Sequence, residues 1–198
     1  MKVKTSRTLA GLGAALIALA AASSAHAASP KFYFQVGEVK AGPEVDAPLK
    51  GYAGEALKAE LASRPEWASD VGTTDSEALV AELKRRNLRG FSVSVRFEHL
   101  TKEIKEPSAG ARHKRVSLNV KLAVFGTTIP EAKLSFSGDG ESGVEAEVSD
   151  KGMDAEVTSM FKDAIKDAVK QAVDQAVMKL SIGKSGPMNE SKHGKKKK

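Results

Sequence analysis

The sequence predicts an α+β domain, with a mostly antiparallel sheet of about five strands, helices on one face and a long C-terminal helix. Three observations lead to this class. Residues 91–98 and 115–124 alternate apolar and polar side chains, which is typical of strands with one buried face. Residues 153–180 carry one continuous apolar stripe at helical spacing. No internal repeat with a period of about 20–50 residues is present, so a repeat architecture is not expected.

The two ends of the 198-residue chain differ from its middle. Residues 9–22 form an apolar run behind a positively charged start, and the small-x-small triplet at residues 25–27 follows. This layout predicts a secretory signal peptide that is cleaved after Ala27, because the run is shorter than the roughly 20 residues that span a bilayer. Residues 184–198 lack apolar periodicity and end in four lysines, so we expect a disordered basic tail there.

These boundaries divide the chain into a signal peptide (1–27), a single α+β domain (28–183) and a basic tail (184–198). The predicted location is therefore outside the cytoplasm, in the bacterial periplasm or the extracellular space. The formal net charge is +6, but the tail carries +5 and the signal peptide +3, which leaves −2 for residues 28–183. A basic nucleic-acid-binding domain is therefore disfavoured. The absence of cysteine excludes disulfides, thiol catalysis and cysteine-ligated metals.

The first half of the domain reads as a strand followed by two helices. Residues 32–39 have Phe and Val at every second position, which predicts a strand. Residues 52–63 have alanine and leucine at helical spacing and stop before Pro65, and the second helix follows a cap at Thr74 or Asp75. The basic residues at the end of this second helix suit the negative end of the helix dipole.

Four consecutive strands are predicted after the second helix. The two alternating segments, 91–98 and 115–124, are joined by a long hairpin loop. A short strand around Leu134 and Phe136 precedes a turn over the glycine-rich residues 138–143, and residues 144–148 form the last strand. The final helix is rich in alanine and valine along its apolar stripe, so we expect it to approach the sheet closely.

This order of elements resembles that of small exported α+β domains of the bacterial envelope. The resemblance rests on the strand FYFQVGEV, the helix end ALVAELKRRNLRG, the strand FSVSVRFEHL and the terminal helix AIKDAVKQAVDQAVMKL. Similar orders occur in curli-secretion lipoproteins, penicillin-binding-protein activator lipoproteins and the N-terminal domain of the Tol–Pal beta-propeller protein. The chain departs from them in having no cysteine to carry a lipid, and PEWASDV replaces the strand expected between the first two helices. The resemblance implies an envelope binding or assembly role and carries over no site residues.

No catalytic, metal-binding or cofactor motif is recognisable in the sequence. The histidines of the domain are not paired, and the acidic residues around Asp139 and Glu141 lack the spacing of a calcium loop. Residues 183–185 imitate the end of a phosphate-binding loop, but Met178 stands where that loop needs glycine. We therefore expect a protein that is not an enzyme and uses no cofactor.

Two groups of residues are candidates for partner contact. Basic residues in the hairpin loop and the tail could bind an anionic envelope component, or they could serve only solubility; these are Arg112, His113, Lys114, Arg115, Lys195, Lys196, Lys197 and Lys198. Four aromatic residues fall off the apolar faces or in loops, so we expect them to be exposed contacts: Tyr33, Tyr52, Trp67 and Phe125. Nucleic acid is disfavoured, because no aromatic residues interleave with the basic clusters.

The sequence thus favours an exported, non-catalytic envelope binding or assembly protein that recognises a protein or an anionic component. The edge strand of its sheet, either 32–39 or the last strand, could add a strand from a partner. The alternative is a carrier of a small apolar ligand or lipid, with a cavity between the long helix and the sheet. A hydrolase is a third alternative, and it would require a cleft that gathers serine, histidine and carboxylates.

Overall fold

The computed structural model describes residues 30–106 and 113–182 and has the expected α+β class. The predicted signal peptide, the predicted tail with its four terminal lysines, and Arg112 lie outside the described residues. The elements follow in the order β1 (Phe32–Lys40), α1 (Ala47–Ala62), β2 (Trp67–Ala68), α2 (Ser76–Arg85), β3 (Arg89–Lys105), β4 (His113–Thr128), β5 (Leu134–Ser149) and α3 (Met153–Ile182).

The five strands form one mixed sheet in the order β2-β1-β3-β4-β5. The long neighbours β3, β4 and β5 pair antiparallel, as the sequence predicts. β1 is parallel to both β2 and β3, because the connections between them pass through α1 and α2 and bring the chain back in the same direction. The two edges therefore differ greatly in length, with two residues in β2 and sixteen in β5.

β5 corrects the prediction of two short strands joined by a turn over residues 138–143. The glycines in this segment serve a close approach between the strand and α3. A Cβ atom at Gly138 would overlap the backbone carbonyl of Ala172, and one at Gly140 would overlap that of Ala168. Among the residues that the structure describes, three strands rather than four therefore follow α2, and the fifth strand of the sheet is β2, inside the PEWASDV segment.

The main core lies between the sheet and the two helices α1 and α3. The inward apolar residues of β4 and of the first half of β3 are buried, and the alanine stripe of α3 packs over β4 and β5. At one end of this core, Trp67 is surrounded by phenylalanine rings, with centroids 5.2 Å from Phe32, 5.9 Å from Phe91 and 6.1 Å from Phe136. Close packing of α3, expected from its small side chains, is confirmed at β5.

α2 lies apart from the other two helices. Its Leu79 and Leu83 form a separate buried cluster with Tyr33 and Val71. Because successive residues of a strand point to opposite faces, Tyr33 faces away from Phe32 and Phe34, which belong to the main core. The expected arrangement of helices on one face thus holds for α1 and α3, whereas α2 covers a corner of the opposite face.

We expect a methyl group at Gly138 or Gly140 to destabilise the fold, because the added Cβ atom must push the α3 backbone away from β5. Gly138→Ala and Gly140→Ala should each lower the free energy of unfolding by about 3 kcal/mol. Urea denaturation followed by circular dichroism measures the change.

Gly143→Ala is the matched control on the same strand. A Cβ atom there would lie 3.6 Å from the Leu118 carbonyl oxygen, which is ordinary contact. Its stability should stay within about 0.5 kcal/mol of the parent. Equal stability of the Gly138 and Gly143 variants would show that the close approach of the helix does not require glycine.

Candidate functional site

The outer side of β5 is a long strand edge. β5 ends the sheet, and β4 is its only strand neighbour within the described part of the chain. The Asp139 backbone N–H donates a hydrogen bond of 3.3 Å to Oε1 of Gln175 on α3, so the Asp139 backbone points away from β4. Alternate residues of an antiparallel edge strand direct their N–H and C=O groups to the same side. The odd-numbered residues between 137 and 147 therefore present their backbone groups outward.

The side chains of these outward residues are strongly acidic. Asp139, Glu141, Glu145 and Glu147 are all exposed, and we call them the acidic edge. Asn119 on β4 donates to Glu141 at 3.2 Å, and Arg115 forms an ion pair with Glu145. The acidic edge therefore combines available backbone donors and acceptors with four carboxylates, of which that of Glu145 is already paired with Arg115.

Two exposed apolar side chains flank the start of this edge. Leu134, the first residue of β5, is 65% exposed, and Met178 on α3 is 63% exposed. Met178 lies three residues after Gln175, so it shares the side of α3 that reaches Asp139. Both residues could contact the apolar side chains of a strand added to the acidic edge.

The basic cluster predicted at the hairpin is largely balanced by carboxylates. Lys114 Nζ lies 3.3 Å from Asp150 and 3.5 Å from Glu106, and its hydrogen bond to Asp150 raises the pKa of the Lys114 ammonium group. Arg115 is paired with Glu145, while His113 is exposed. This local pairing favours surface ion pairs as the role of Lys114 and Arg115, and anion binding by the cluster stays a prediction.

The expectation of exposed aromatic contacts is wrong for Tyr33 and Trp67. Trp67 is 5% exposed because β2 places its ring among the phenylalanines of the main core. Tyr33 is 7% exposed beneath α2. Its burial and, to a smaller extent, the negative charge of the nearby Asp70 carboxylate raise the pKa of its hydroxyl group. The sequence pattern does not reveal this burial, because Trp67 lies in a short irregular segment and Tyr33 faces a second, smaller core.

Tyr52 and Phe125 are half-buried and each has a cation nearby. The Arg96 guanidinium carbon lies 4.7 Å from the centroid of the Phe125 ring, and Lys162 Nζ lies 5.6 Å from that of Tyr52. These cation–π contacts occupy part of each ring. Partner contact at these two aromatic residues stays a prediction.

Two of the basic residues at the end of α2, Arg85 and Arg86, pair with one carboxylate. Glu82 accepts hydrogen bonds from Arg85 at 2.6 and 2.7 Å and from Arg86 at 2.5 Å. These hydrogen bonds, of which those from Arg85 have the larger effect, lower the pKa of Glu82 to about 2. Arg85 and Arg86 therefore form surface ion pairs with Glu82 at the helix end, and the complement to the helix dipole stays a prediction.

No cluster of metal-ligating side chains and no membrane-spanning helix occurs among residues 30–106 and 113–182. This part of the chain contains no group of three or more histidine or carboxylate side chains arranged to hold a metal ion. None of its helices combines the length and apolar character needed to cross a bilayer.

Solved structures with a similar fold come from bacteria. Protein XCC0632 from Xanthomonas campestris, of the DUF330 family, has 9% identity and a TM-score of 0.52 over 80% of this chain and 92% of its own. A minor lipoprotein from Acinetobacter baumannii has 8% identity and a TM-score of 0.42 over 80% of this chain and 99% of its own. A homologue of neuraminyllactose-binding hemagglutinin from Helicobacter pylori has 11% identity and a TM-score of 0.45 over 81% of this chain and 89% of its own.

The similarity to protein XCC0632 shows the fold alone, because the identity of 9% is far below a level that transfers function. No protein-family model matches the chain, and no curated protein matches it in sequence. The expected resemblance thus holds at the level of the fold, a small α+β domain. The three envelope classes named from the order of elements stay predictions.

We expect the Glu82 carboxyl group to titrate near pH 2 in the folded protein, well below the value of about 4.3 in an unfolded chain. Because the folded-state pKa is lowered, its stabilising contribution is fully present above about pH 5 and is lost as the pH falls towards 2. Carboxyl NMR titration measures the midpoint directly.

The variant Glu82→Gln should have a lower free energy of unfolding than the parent at neutral pH. The two free energies should become equal as the pH falls towards 2. Glu77→Gln removes one carboxylate from the first turn of the same helix and serves as the matched control. A Glu82 midpoint close to 4 would contradict the strong pairing with Arg85 and Arg86.

Proposed function

We propose that the protein is a non-catalytic, exported envelope protein that binds an extended, positively charged segment of a partner protein along the acidic edge of β5. Export is inferred from the signal peptide predicted in residues 1–27. The observation that carries the proposal is the sixteen-residue edge strand, whose outward backbone groups alternate along a row of carboxylates. Addition of a strand to such an edge supplies affinity through the main chain, and side chains at alternate positions supply specificity.

The charge of the acidic edge argues against a second copy of this chain as the partner. If two β5 strands paired antiparallel about Gly143, Asp139 would face Glu147 and Glu141 would face Glu145. Like charges directly opposite one another destabilise a strand pair. Acidic side chains therefore protect the edge from self-association, as charges on natural edge strands do, and they favour a basic strand.

The β5 strand is also held firmly enough to act as a template. It pairs with β4 along nearly its whole length, and α3 packs against its inward face. A rigid template limits the ordering cost of association to the incoming segment. Leu134 and Met178 give that segment apolar contacts beside the charged row.

We expect an eight-residue peptide of alternating lysine and valine to bind the mature protein at low ionic strength. In an added strand, its lysines would face the acidic edge and its valines would face the side of α3 that carries Met178. Fluorescence anisotropy measures the affinity, and amide shifts should concentrate on the odd-numbered residues 137–147. A peptide of alternating glutamate and valine is the control and should not bind.

The variants Glu141→Gln and Glu141→Pro separate charge from backbone recognition. Glu141→Gln removes one charge and should weaken binding by about 2–5-fold. Glu141→Pro also removes an N–H that points away from β4, so it should spare the β4–β5 ladder and weaken binding at least about 10-fold. Equal affinities of the two variants, with native circular dichroism, would show that the peptide uses charge alone and would overturn strand addition.

A further inference from the structure

A cleft of about 560 Å³ opens between the N-terminal ends of α1 and α3, above the far half of β3. Its floor is apolar and comes from three elements, with Leu49 on α1, Leu100 on β3 and Phe161 on α3. The cleft exists because α1 begins only at Ala47, while β3 continues to Lys105 and outruns the helix layer. Ile104, on the same uncovered face of β3, is 43% exposed.

Charges of both signs surround this apolar floor. Lys102 and Lys162 are its basic lining residues, with the Lys162 ammonium group also 5.6 Å from the Tyr52 ring centroid, and Glu44, Asp46 and Asp154 are its acidic ones. Asp46 caps α1 by accepting the Leu49 N–H at 2.8 Å, so its carboxylate already has a backbone partner. Each helix N-terminus adds about half a positive charge. The lining is therefore close to neutral as a whole but strongly polar in its parts.

The distribution of these groups indicates the chemistry of a ligand. An anion would meet the three carboxylates, and a cation would meet the two lysines and both helix N-termini. A ligand that carries both charges can place its anionic group beside Lys102 or Lys162 and its cationic group beside Glu44 or Asp154. The apolar floor in addition requires a hydrocarbon portion. The volume lies within the range of about 300–1,000 Å³ that is usual for small-molecule sites.

We propose that this cleft binds a zwitterionic amphiphile, namely a single-chain lipid with a phosphocholine-like headgroup. The chain lies on Leu49, Leu100 and Phe161, and the headgroup spans the charged rim. This site shares no residue with the acidic edge of β5, so the two proposals stand or fall separately.

Three amphiphiles with the same twelve-carbon chain test the headgroup preference. Dodecylphosphocholine, dodecanoate and dodecyltrimethylammonium are titrated below their self-association concentrations into the isotopically labelled mature protein. We expect dodecylphosphocholine to bind at least about fivefold tighter than either singly charged amphiphile, with the largest amide shifts around Leu49, Leu100 and Phe161. Tighter binding of dodecanoate or of dodecyltrimethylammonium would overturn the zwitterion assignment, and no saturable binding would overturn the site.

Matched variants test the location of the site. Leu100→Gln places an amide on the cleft floor and should weaken dodecylphosphocholine binding at least tenfold. Leu134→Gln makes the same change at an exposed position outside the cleft and should leave the affinity unchanged. Lys102 is exposed, so Lys102→Gln should fold normally and weaken dodecylphosphocholine more than dodecyltrimethylammonium. Equal effects of Leu100→Gln and Leu134→Gln, or no selective effect of Lys102→Gln, would contradict binding in this cleft.

Discussion

α3 packs on β5 at backbone distance, and the placement of both candidate sites depends on this contact. Two residues of a strand and four residues of a helix advance by similar lengths, about 6–7 Å. Gly138 and Gly140 are therefore spaced to receive the turns of α3 that contain Ala168 and Ala172. The contact aligns the helix with the strand and holds β5 in place without a strand on its outer side.

This alignment determines which surfaces the helix leaves open. Near the start of β5, α3 lies close enough for Gln175 to reach the Asp139 amide, and the rest of the outward backbone remains accessible. Near its own N-terminus, α3 covers β4 and β5 but does not extend over the far half of β3, so the cleft opens there. Small side chains therefore leave no room for a buried ligand where α3 contacts Gly138 and Gly140 of β5, whereas a cleft is open at the N-terminal end of α3.

Much of the fold could be predicted from the sequence, because alternation and helical spacing report directly on one-sided burial. β3, β4 and α3 carry that signal over many residues. The alternation also continues through residues 136–148, but glycine occupies two of its inward positions and contributes no hydrophobic signal, so the sequence pattern there favours a turn. α2 packs on the face of the sheet to which Tyr33 of β1 points. The local sequence pattern does not show that a helix covers this one side chain.

The candidate sites were less predictable, since they depend on which groups remain unpaired after folding. The sequence favours the basic residues of the hairpin as a contact site. In the folded sheet, however, Asp150 lies beside Lys114 and Glu145 beside Arg115, and these carboxylates balance the two positive charges. The carboxylates of β5 look like an ordinary solvated face until the strand order shows that they line an open edge. Strand addition at that edge relies on attraction between opposite net charges, which salt screens over about 10 Å at 0.1 M. Binding in the nearly neutral cleft relies mainly on apolar burial, so ionic strength separates the two surfaces by the physical force that each one uses.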